Sequence, residues 1–314
     1  KGKVFGLRLR AGIVLALLLL GLLKANTLTS LAEDEMFADE IIYTKDTPYQ
    51  RIVITRGRAG FQLFLNGNLQ FSSTDEYRYH EALVHPALLL ANNPRRVLVL
   101  GGGDGLAIRE ILKYPSVTNV TLVDLDPDMT KLSTRFPLLA ELNQRAFNDS
   151  RVKVINQDAF VWLDETSEAP FDAAIIDFPD PNTFALGKLY TTRFYRMLKR
   201  RLTENAAVSV QATSPMFARN SYWCIIRTLE AAGFVVKPYS IAVPSFGVWG
   251  YALARSSPFE IPTHPPAGLK FLDNQTLVAM FTLSTDIGPV PVEINRLDNQ
   301  VLVRYYEGEW RRFE

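Results

Sequence analysis

The stretch VLVLGGGDG, from Val97 to Gly105, joins an apolar run of strand length to three consecutive glycines and an aspartate, and a helical pattern begins at Leu106. Because glycine lacks a Cβ, such a loop turns tightly and lets a ligand approach the backbone closely. Loops that bind phosphate offer bare N–H groups and basic side chains, whereas the carboxylate of Asp104 would repel an anion. The loop therefore predicts a nucleoside ligand that is neutral or cationic near Asp104. A sulfonium compound fits this description, and NAD and ATP do not.

Strand-like and helix-like segments alternate around this loop. Continuous apolar strands that alternate with helices predict a Rossmann-like, doubly wound and mostly parallel sheet of the class I methyltransferase type. Two later runs are expected at the antiparallel end of this sheet, Val235–Tyr239 and Trp249–Ala254. The strand-like runs of the alternation are Arg96–Leu100, Val120–Asp124, Val152–Asn156, Ala173–Asp177 and Ala207–Gln211.

A small antiparallel unit is predicted upstream of the alternating segments. Gln50–Thr55 and Phe61–Leu65 have strand patterns, Asn66-Gly67 is typical of a type I′ turn, and Asn68–Ser72 completes the hairpin. A helical pattern follows from Tyr77 to Leu90.

The N-terminal apolar run, residues 11–23, lies between Arg10 and Lys24. Its 13 residues are fewer than the ~20 that span a bilayer, but the apolar character extends towards Leu31 if Lys24 snorkels. We therefore expect a membrane helix over residues 1–32, the last helix of a truncated membrane domain, in preference to a signal peptide. The acidic run Glu33–Glu35 follows it.

Composition limits the classes of partner. The 314 residues carry a net charge of +1, which gives no general attraction for nucleic acid. One cysteine and three scattered histidines predict neither a disulfide nor a metal site. The predicted divisions are the membrane helix (1–32), a β-hairpin domain (36–76), a catalytic domain (77–257) and a C-terminal extension (258–314).

Two carboxylates follow the second and third strands of the alternation. Asp124 lies about twenty residues beyond the glycine loop, where nucleotide-binding folds place a carboxylate on ribose hydroxyls. Asp126 and Asp128 are expected to begin the next helix. Asp158 either accepts a hydrogen bond from an adenine amino group or N-caps the helix that follows.

A pair of acids follows the fourth strand in the segment Asp177-Phe178-Pro179-Asp180-Pro181. The two prolines stiffen the segment and fix where the carboxylates point. Two acids at the mouth of a nucleoside site favour a cationic substrate. The alternative is a turn whose acids are solvated.

Together these motifs resemble the polyamine aminopropyltransferase family, in particular the spermidine synthases, over about residues 49–254. The N-terminal apolar run and the tail, with Tyr305-Tyr306, resemble the bacterial subgroup in which the enzyme follows a membrane domain. This subgroup implies a cell-membrane location with the catalytic domain in the cytoplasm, where the donor is made. The family implies a homo-oligomer, either a dimer or a tetramer, of which the dimer is favoured. The matching motifs are Tyr49-Gln50, Leu65–Gln70, Asp75–Glu81, Gly101–Gly105, Asp177-x-x-Asp180-Pro181 and Gln211.

The resemblance implies aminopropyl transfer from decarboxylated S-adenosylmethionine to a diamine, with no prosthetic group and no metal. Asp104 would bind the aminopropyl ammonium, and Asp177 would take a proton from the attacking amine. Tyr79, His80, Asp180 and Gln211 would hold the acceptor, with help from Gln50. The donor residues implied are Gln50, Gly101, Gly103, Asp104, Asp124, Asp158 and Ala159.

Several positions depart from the family pattern. Leu106 replaces a glycine after the loop, and Phe178-Pro179 replaces small polar residues between the two acids. Pro244-Ser245-Phe246 lacks a tyrosine hydroxyl and makes the acceptor pocket more apolar. Putrescine is the default acceptor, and a longer or altered amine stays open. The alternative functions are an S-adenosylmethionine-dependent methyltransferase and a polyamine-sensing module without catalysis. For His80, the alternative to substrate binding is a purely structural role.

Overall fold

The fold is taken from a computed structural model that describes residues 2–23 and 37–312. In the described chain a four-stranded antiparallel sheet precedes a seven-stranded mixed sheet. The strands are β1 Glu40–Asp46, β2 Arg51–Arg56, β3 Phe61–Leu65, β4 Asn68–Ser72, β5 Arg96–Gly101, β6 Asn119–Asp124, β7 Val152–Asn156, β8 Phe171–Asp177, β9 Leu202–Gln211, β10 Val235–Val243 and β11 Gly247–Arg255. The α-helices are α1 Gly2–Leu23, α2 Glu76–Ala91, α3 Leu106–Ile111, α4 Pro127–Arg135, α5 Pro137–Leu142, α6 Ala159–Glu165, α7 Phe184–Gly187, α8 Thr192–Lys199, α9 Arg219–Ala231, α10 Asn274–Ala279 and α11 Val301–Trp310.

The seven-stranded sheet has the order β10-β11-β9-β8-β5-β6-β7. Strands β9, β8, β5, β6 and β7 pair in parallel, and β11 and β10 add two antiparallel strands at one edge. The predicted mostly parallel α/β sheet and its antiparallel end are thus confirmed.

Helices cover both faces of this sheet because its central strands are apolar on both sides. Leu98 and Leu100 of β5 pack in one cluster with side chains of α8 and α9. Val97 and Val99 point to the opposite face and pack with side chains of α2 and α3. Two apolar faces demand two layers of helix, as in doubly wound folds.

The small sheet has the order β1-β2-β3-β4. Asn66 and Gly67 join β3 to β4 with φ angles of 51° and 79°, as the predicted type I′ turn requires. The hairpin is therefore confirmed. Strand β1 was not predicted.

The C-terminal extension packs against the body of the seven-stranded sheet. Leu272, Leu277 and Met280 join the cluster on the α2 face, whereas Val301 and Leu302 join the cluster on the α8 face. The extension thus contacts both layers.

No helix within residues 2–23 and 37–312 combines the length and the apolar character needed to cross a membrane. The predicted cell-membrane location is therefore wrong, whereas the predicted membrane helix and membrane partner are not shown. The physical reason is that the apolar run alone, residues 11–23, is shorter than the ~20 residues of a span. Residues 24–32, which the prediction included, and the acidic run Glu33–Glu35 lie outside the described residues.

Candidate active site

The candidate site lies where the strand order reverses between β5 and β8, at the carboxyl ends of the parallel strands. Ligands of open α/β sheets bind in this crevice. Gly101 has a φ of +78°, and a Cβ there would lie 2.2 Å from the backbone oxygen of Asp177. A Cβ at Gly103 would lie 2.7 Å from Oδ2 of Asp124. Glycine at these two positions therefore lets the loop after β5 approach both Asp124 and Asp177.

Asp124 ends β6 beside the glycine loop. Burial is the largest effect on its carboxyl and raises its pKa to about 7, with a further contribution from the negative charge of Asp126. Its Oδ1 accepts a hydrogen bond from the backbone N–H of Asp126 at 2.9 Å. Asp126 in turn N-caps α4 by accepting from the N–H of Asp128, as expected for these two acids.

Gln50 reaches this edge of the site from the small sheet. Its Nε2 donates to Oδ2 of Asp126 at 2.9 Å, and Thr47 Oγ1 donates to the same oxygen at 2.8 Å. An ion pair between Lys45 and Asp128, 2.9 Å long, lies alongside. These contacts place Gln50 on the side of the predicted ribose-binding acid.

The centre of the site is formed by His80, Asp104 and Asp177. A ring nitrogen of His80 and one carboxylate oxygen of each acid all lie within 4.8 Å of one another. Tyr79 Oη donates to Oδ1 of Asp177 at 2.6 Å. Oδ1 of Asp104 accepts from the N–H of Leu106 at 2.8 Å, which fixes the loop carboxylate at the start of α3.

His80 is held from behind by Glu76. Its Nδ1 lies 2.9 Å from Oε2 of Glu76, and the side chain is 2 % exposed. Burial alone would lower the pKa of His80, but the hydrogen bond to Glu76 and the negative charge of Asp104 raise it to about 9. At neutral pH His80 is therefore an imidazolium that faces two acids.

The two central acids have raised pKa values. Burial raises the pKa of Asp177 to about 6, helped by the charge of Asp104, while His80 and the Tyr79 hydrogen bond act in the opposite direction. Burial also raises the pKa of Asp104, and the charge of His80 opposes this. Glu76 is balanced by Arg109, at 2.8 Å, so when both central acids are ionised the imidazolium of His80 balances one of them. One negative charge then remains for a cationic ligand.

Asp180 accepts hydrogen bonds from three side chains. Gln211 Nε2 donates to its Oδ1 at 2.9 Å, whereas Thr213 Oγ1 and Tyr306 Oη donate to its Oδ2 at 3.1 and 2.8 Å. Burial raises the pKa of Asp180, and these three hydrogen bonds oppose the rise. Thr213 and Tyr306 were missed from the sequence. The only signal for Tyr306 was its place in the Tyr305-Tyr306 pair of the tail.

Asp158 is half-buried and makes structural contacts at the start of α6. It N-caps α6 by accepting from the N–H of Phe160 at 2.8 Å, and its Oδ2 lies 2.5 Å from Nζ of Lys188. Ala159 is the first residue of that helix. The helix-capping alternative is therefore observed for Asp158, and its hydrogen bond to adenine stays a prediction.

Tyr190 and Tyr195 lie beneath the segment that carries the acid pair. Both rings are fully buried, and Tyr190 Oη donates to the backbone oxygen of Pro179 at 3.1 Å. Tyr190 therefore supports this segment from below.

Residues 76–263 match the family model described as the spermine/spermidine synthase domain. Polyamine aminopropyltransferase of Leptospira interrogans is 53 % identical over 312 residues, which are 99 % of this chain and 62 % of that protein. Polyamine aminopropyltransferase 2 of Ralstonia nicotianae is 53 % identical over 96 % of this chain and 59 % of that protein. The chain thus spans about three fifths of the length of the curated relatives it matches.

Solved structures agree with these relatives. A spermidine synthase in complex with the transition-state analogue AdoDATO is 25 % identical and superposes with a TM-score of 0.71, covering 78 % of this chain and 86 % of that one. Spermidine synthase from Thermotoga maritima, also 25 % identical, superposes with a TM-score of 0.69 over 78 % of this chain and 85 % of that one. This chain belongs to the spermine/spermidine synthase family. None of these names mentions a membrane domain.

Proposed function

We propose that the chain transfers an aminopropyl group from decarboxylated S-adenosylmethionine to a diamine, with putrescine as the default acceptor. The observation that carries this proposal is the placement of Asp104 and Asp177, with a ring nitrogen of His80, within 4.8 Å of one another at the switch point of the sheet. Membership of the spermine/spermidine synthase family supports it. A site with an uncompensated negative charge suits substrates that carry sulfonium and ammonium groups.

The donor is assigned to the β5 and β6 side of the site. Asp124 binds the ribose hydroxyls, and Gln50 supports that edge through Asp126. Gly101 and Gly103 supply backbone that the nucleoside can approach closely. Asp104 binds the aminopropyl ammonium. The ligand lacks the carboxylate of S-adenosylmethionine, which would lie close to Asp104 and be repelled. Asp158 and Ala159 line the adenine end.

The acceptor is assigned to the β8 and β9 side. Asp180, which Gln211 holds by a 2.9 Å hydrogen bond, binds the ammonium distant from the reaction. Tyr79 lines the path to Asp177, and His80 contributes the cation that limits the total negative charge. The side chain of Phe246 lies near Tyr79, with ring centroids 6.2 Å apart, and gives this pocket an apolar wall.

The reaction needs one base and correct positioning. Asp177 takes a proton from the attacking ammonium, because the nitrogen needs a free electron pair to act as a nucleophile. The nitrogen attacks the methylene next to sulfur, the carbon–sulfur bond breaks, and its electron pair stays on sulfur. Methylthioadenosine leaves as a neutral molecule, so the leaving group needs no acid. Holding both substrates in line supplies the rest of the rate enhancement.

We further propose that the chain forms a homodimer. The support for this is the family resemblance given by the sequence motifs. Light scattering on the purified chain measures its mass, and the mass of a single chain would contradict the dimer.

The function is tested with the 314-residue chain, which receives either decarboxylated S-adenosylmethionine or S-adenosylmethionine, each with putrescine, cadaverine or spermidine. Methylthioadenosine is expected only with the decarboxylated donor and an amine. The Asp177→Asn variant should lose about 100-fold or more of kcat, since general-base catalysis contributes ~10²–10⁴. Asp164→Asn is the matched control, because this side chain is 56 % exposed on α6, and it should keep wild-type kcat.

Other outcomes would overturn the proposal. Methyl transfer from S-adenosylmethionine would establish the methyltransferase alternative. Amine binding without turnover for any acceptor would establish the sensing alternative. Full activity of Asp177→Asn would remove this carboxylate from the role of base.

A further inference from the structure

The C-terminal extension delivers a hydroxyl group to the acceptor side of the site. Tyr306 belongs to α11, and its Oη donates to Oδ2 of Asp180 at 2.8 Å, although 126 residues separate the two. The matched family model ends at residue 263, so this contact comes from outside it. The turn at Pro244–Phe246 lacks the tyrosine hydroxyl of the family pattern.

Helix α11 is anchored at both ends, so the position of Tyr306 is fixed. Leu302 is fully buried in the cluster on the α8 face, one turn before Tyr306 on the same side of the helix. Glu309 follows three residues after Tyr306, and its carboxylate accepts from the backbone N–H groups of Asn220 and Ser221 at 2.7 and 3.0 Å. These contacts tie α11 to the start of α9.

Asn295 ties the extension to the segment that follows the acid pair. Its Nδ2 donates to the backbone oxygens of Gly187 and Tyr190 at 3.0 and 3.1 Å, and its Oδ1 accepts from the N–H of Leu302 at 3.3 Å. The side chain is fully buried. The strap from Asn295 to Glu309 therefore holds Tyr306 at a constant distance from Asp180.

The Tyr306 hydroxyl limits the number of hydrogen bonds that Asp180 is able to accept from a ligand. A carboxylate has about four acceptor directions. Gln211, Thr213 and Tyr306 occupy three of them. One direction is left, which matches a single N–H of one ammonium group.

We propose that Tyr306 is a positioning residue for the acceptor. Its hydroxyl occupies one hydrogen-bonding direction of the Asp180 carboxylate, so that one direction is left in which the distal ammonium of a diamine binds. This inference rests on the proposed function, and it adds a determinant of acceptor affinity that the C-terminal extension supplies. The hydroxyl acts through Asp180 and does not touch the donor. Its loss therefore changes acceptor binding and leaves the chemical step alone.

The test compares Tyr306→Phe with Tyr305→Phe in the 314-residue chain. Both variants lose one tyrosine hydroxyl on the same helix. Within residues 2–23 and 37–312, the hydrogen bond found for the Tyr305 hydroxyl is the one it accepts from the backbone N–H of Glu293, at 3.3 Å. Phenylalanine keeps the ring that packs 5.8 Å from Trp310. Tyr306→Phe should raise the KM for putrescine by about tenfold, because Asp180 loses a donor that fixes its orientation and the ammonium must then order the carboxylate itself. The kcat and the KM for the donor should stay within about twofold.

Calorimetric binding of putrescine separates this inference from the proposed function. If the wild-type chain binds putrescine but turns nothing over, the proposed function fails, and weaker binding by Tyr306→Phe than by Tyr305→Phe still supports the role of Tyr306. An unchanged KM and Kd for putrescine in Tyr306→Phe would overturn the inference. A loss of kcat and donor affinity together with acceptor affinity would also overturn it, because that pattern indicates a structural role.

Discussion

Replacing Tyr79 by phenylalanine removes one hydrogen bond from the proposed base and keeps the ring. The Tyr79 hydroxyl donates to Oδ1 of Asp177 at 2.6 Å. The ring is buried between His80 and Tyr251, with centroid distances of 4.9 and 5.5 Å, and phenylalanine fills the same space. The substitution therefore isolates the contribution of the hydrogen bond to the pKa of Asp177.

The size and sign of the effect follow from the hydrogen bond. A hydrogen bond to a charged group contributes about 1.5–3 kcal/mol, and one pKa unit corresponds to ~1.4 kcal/mol. The bond stabilises the ionised carboxylate, so its removal raises the pKa of Asp177 from about 6 by about one to two units. Because the base must be ionised, activity is lost as the pH falls through this pKa. With a shift of ~1.5 units the variant loses about eightfold at pH 6.5 and almost nothing at pH 9.

The assay is the pH dependence of kcat/KM for the donor at saturating putrescine, from pH 5 to pH 9, with methylthioadenosine as the readout. On the acidic side of the pH profile, the wild-type chain should lose activity with an apparent pKa near that of Asp177. In Tyr79→Phe this apparent pKa should be higher. Tyr77→Phe is the control, because the Tyr77 ring, two residues earlier on α2, lies beside Lys270. An acidic limb at the same pH in all three proteins would refute the assignment of Asp177 as the titrating base.

Two further substitutions test the donor side and the C-terminal extension. Gly103→Ala should raise the KM for the donor about tenfold and leave the KM for putrescine unchanged, because the new Cβ would lie 2.7 Å from Oδ2 of Asp124. Steady-state kinetics in which each substrate is varied in turn measures both values. An unchanged KM for the donor would contradict the close packing of Gly103 against Asp124. Glu309→Gln should lower the Tm by about 3 °C, since an amide has one acceptor oxygen for the N–H groups of α9 where the carboxylate has two. Scanning calorimetry measures the Tm, and an unchanged value would contradict the anchoring of α11.

The parts of the fold with strong local signals could be predicted from the sequence. Strand β5 and its glycine loop carry an apolar run followed by residues that permit positive φ angles, and Asn66-Gly67 defines a turn by itself. These signals depend on neighbouring residues only.

Strand β1 gave no such signal. Its residues are exposed or half-buried along both faces, in a pattern that does not alternate, because it lies at the edge of the small sheet. The site contacts that were missed join distant residues. Gln50 reaches Asp126 across 76 positions, and Tyr306 reaches Asp180 across 126. Contacts between residues so far apart in the sequence produce no periodic pattern of apolar and polar residues.

The roles of the two acids after β8 depend on their partners and not on their type. Among the residues that the structure describes, Asp177 accepts one side-chain hydrogen bond, from Tyr79, and the charge of Asp104 acts against its ionised form. Asp180 accepts three side-chain hydrogen bonds from neutral groups, which occupy most of its acceptor directions. A carboxylate with few donors and a negative neighbour is suited to take a proton, and one held by three donors is suited to fix an ammonium. This difference supports Asp177 as the base and Asp180 as the anchor, the roles that the family resemblance implied and that residue type by itself does not distinguish.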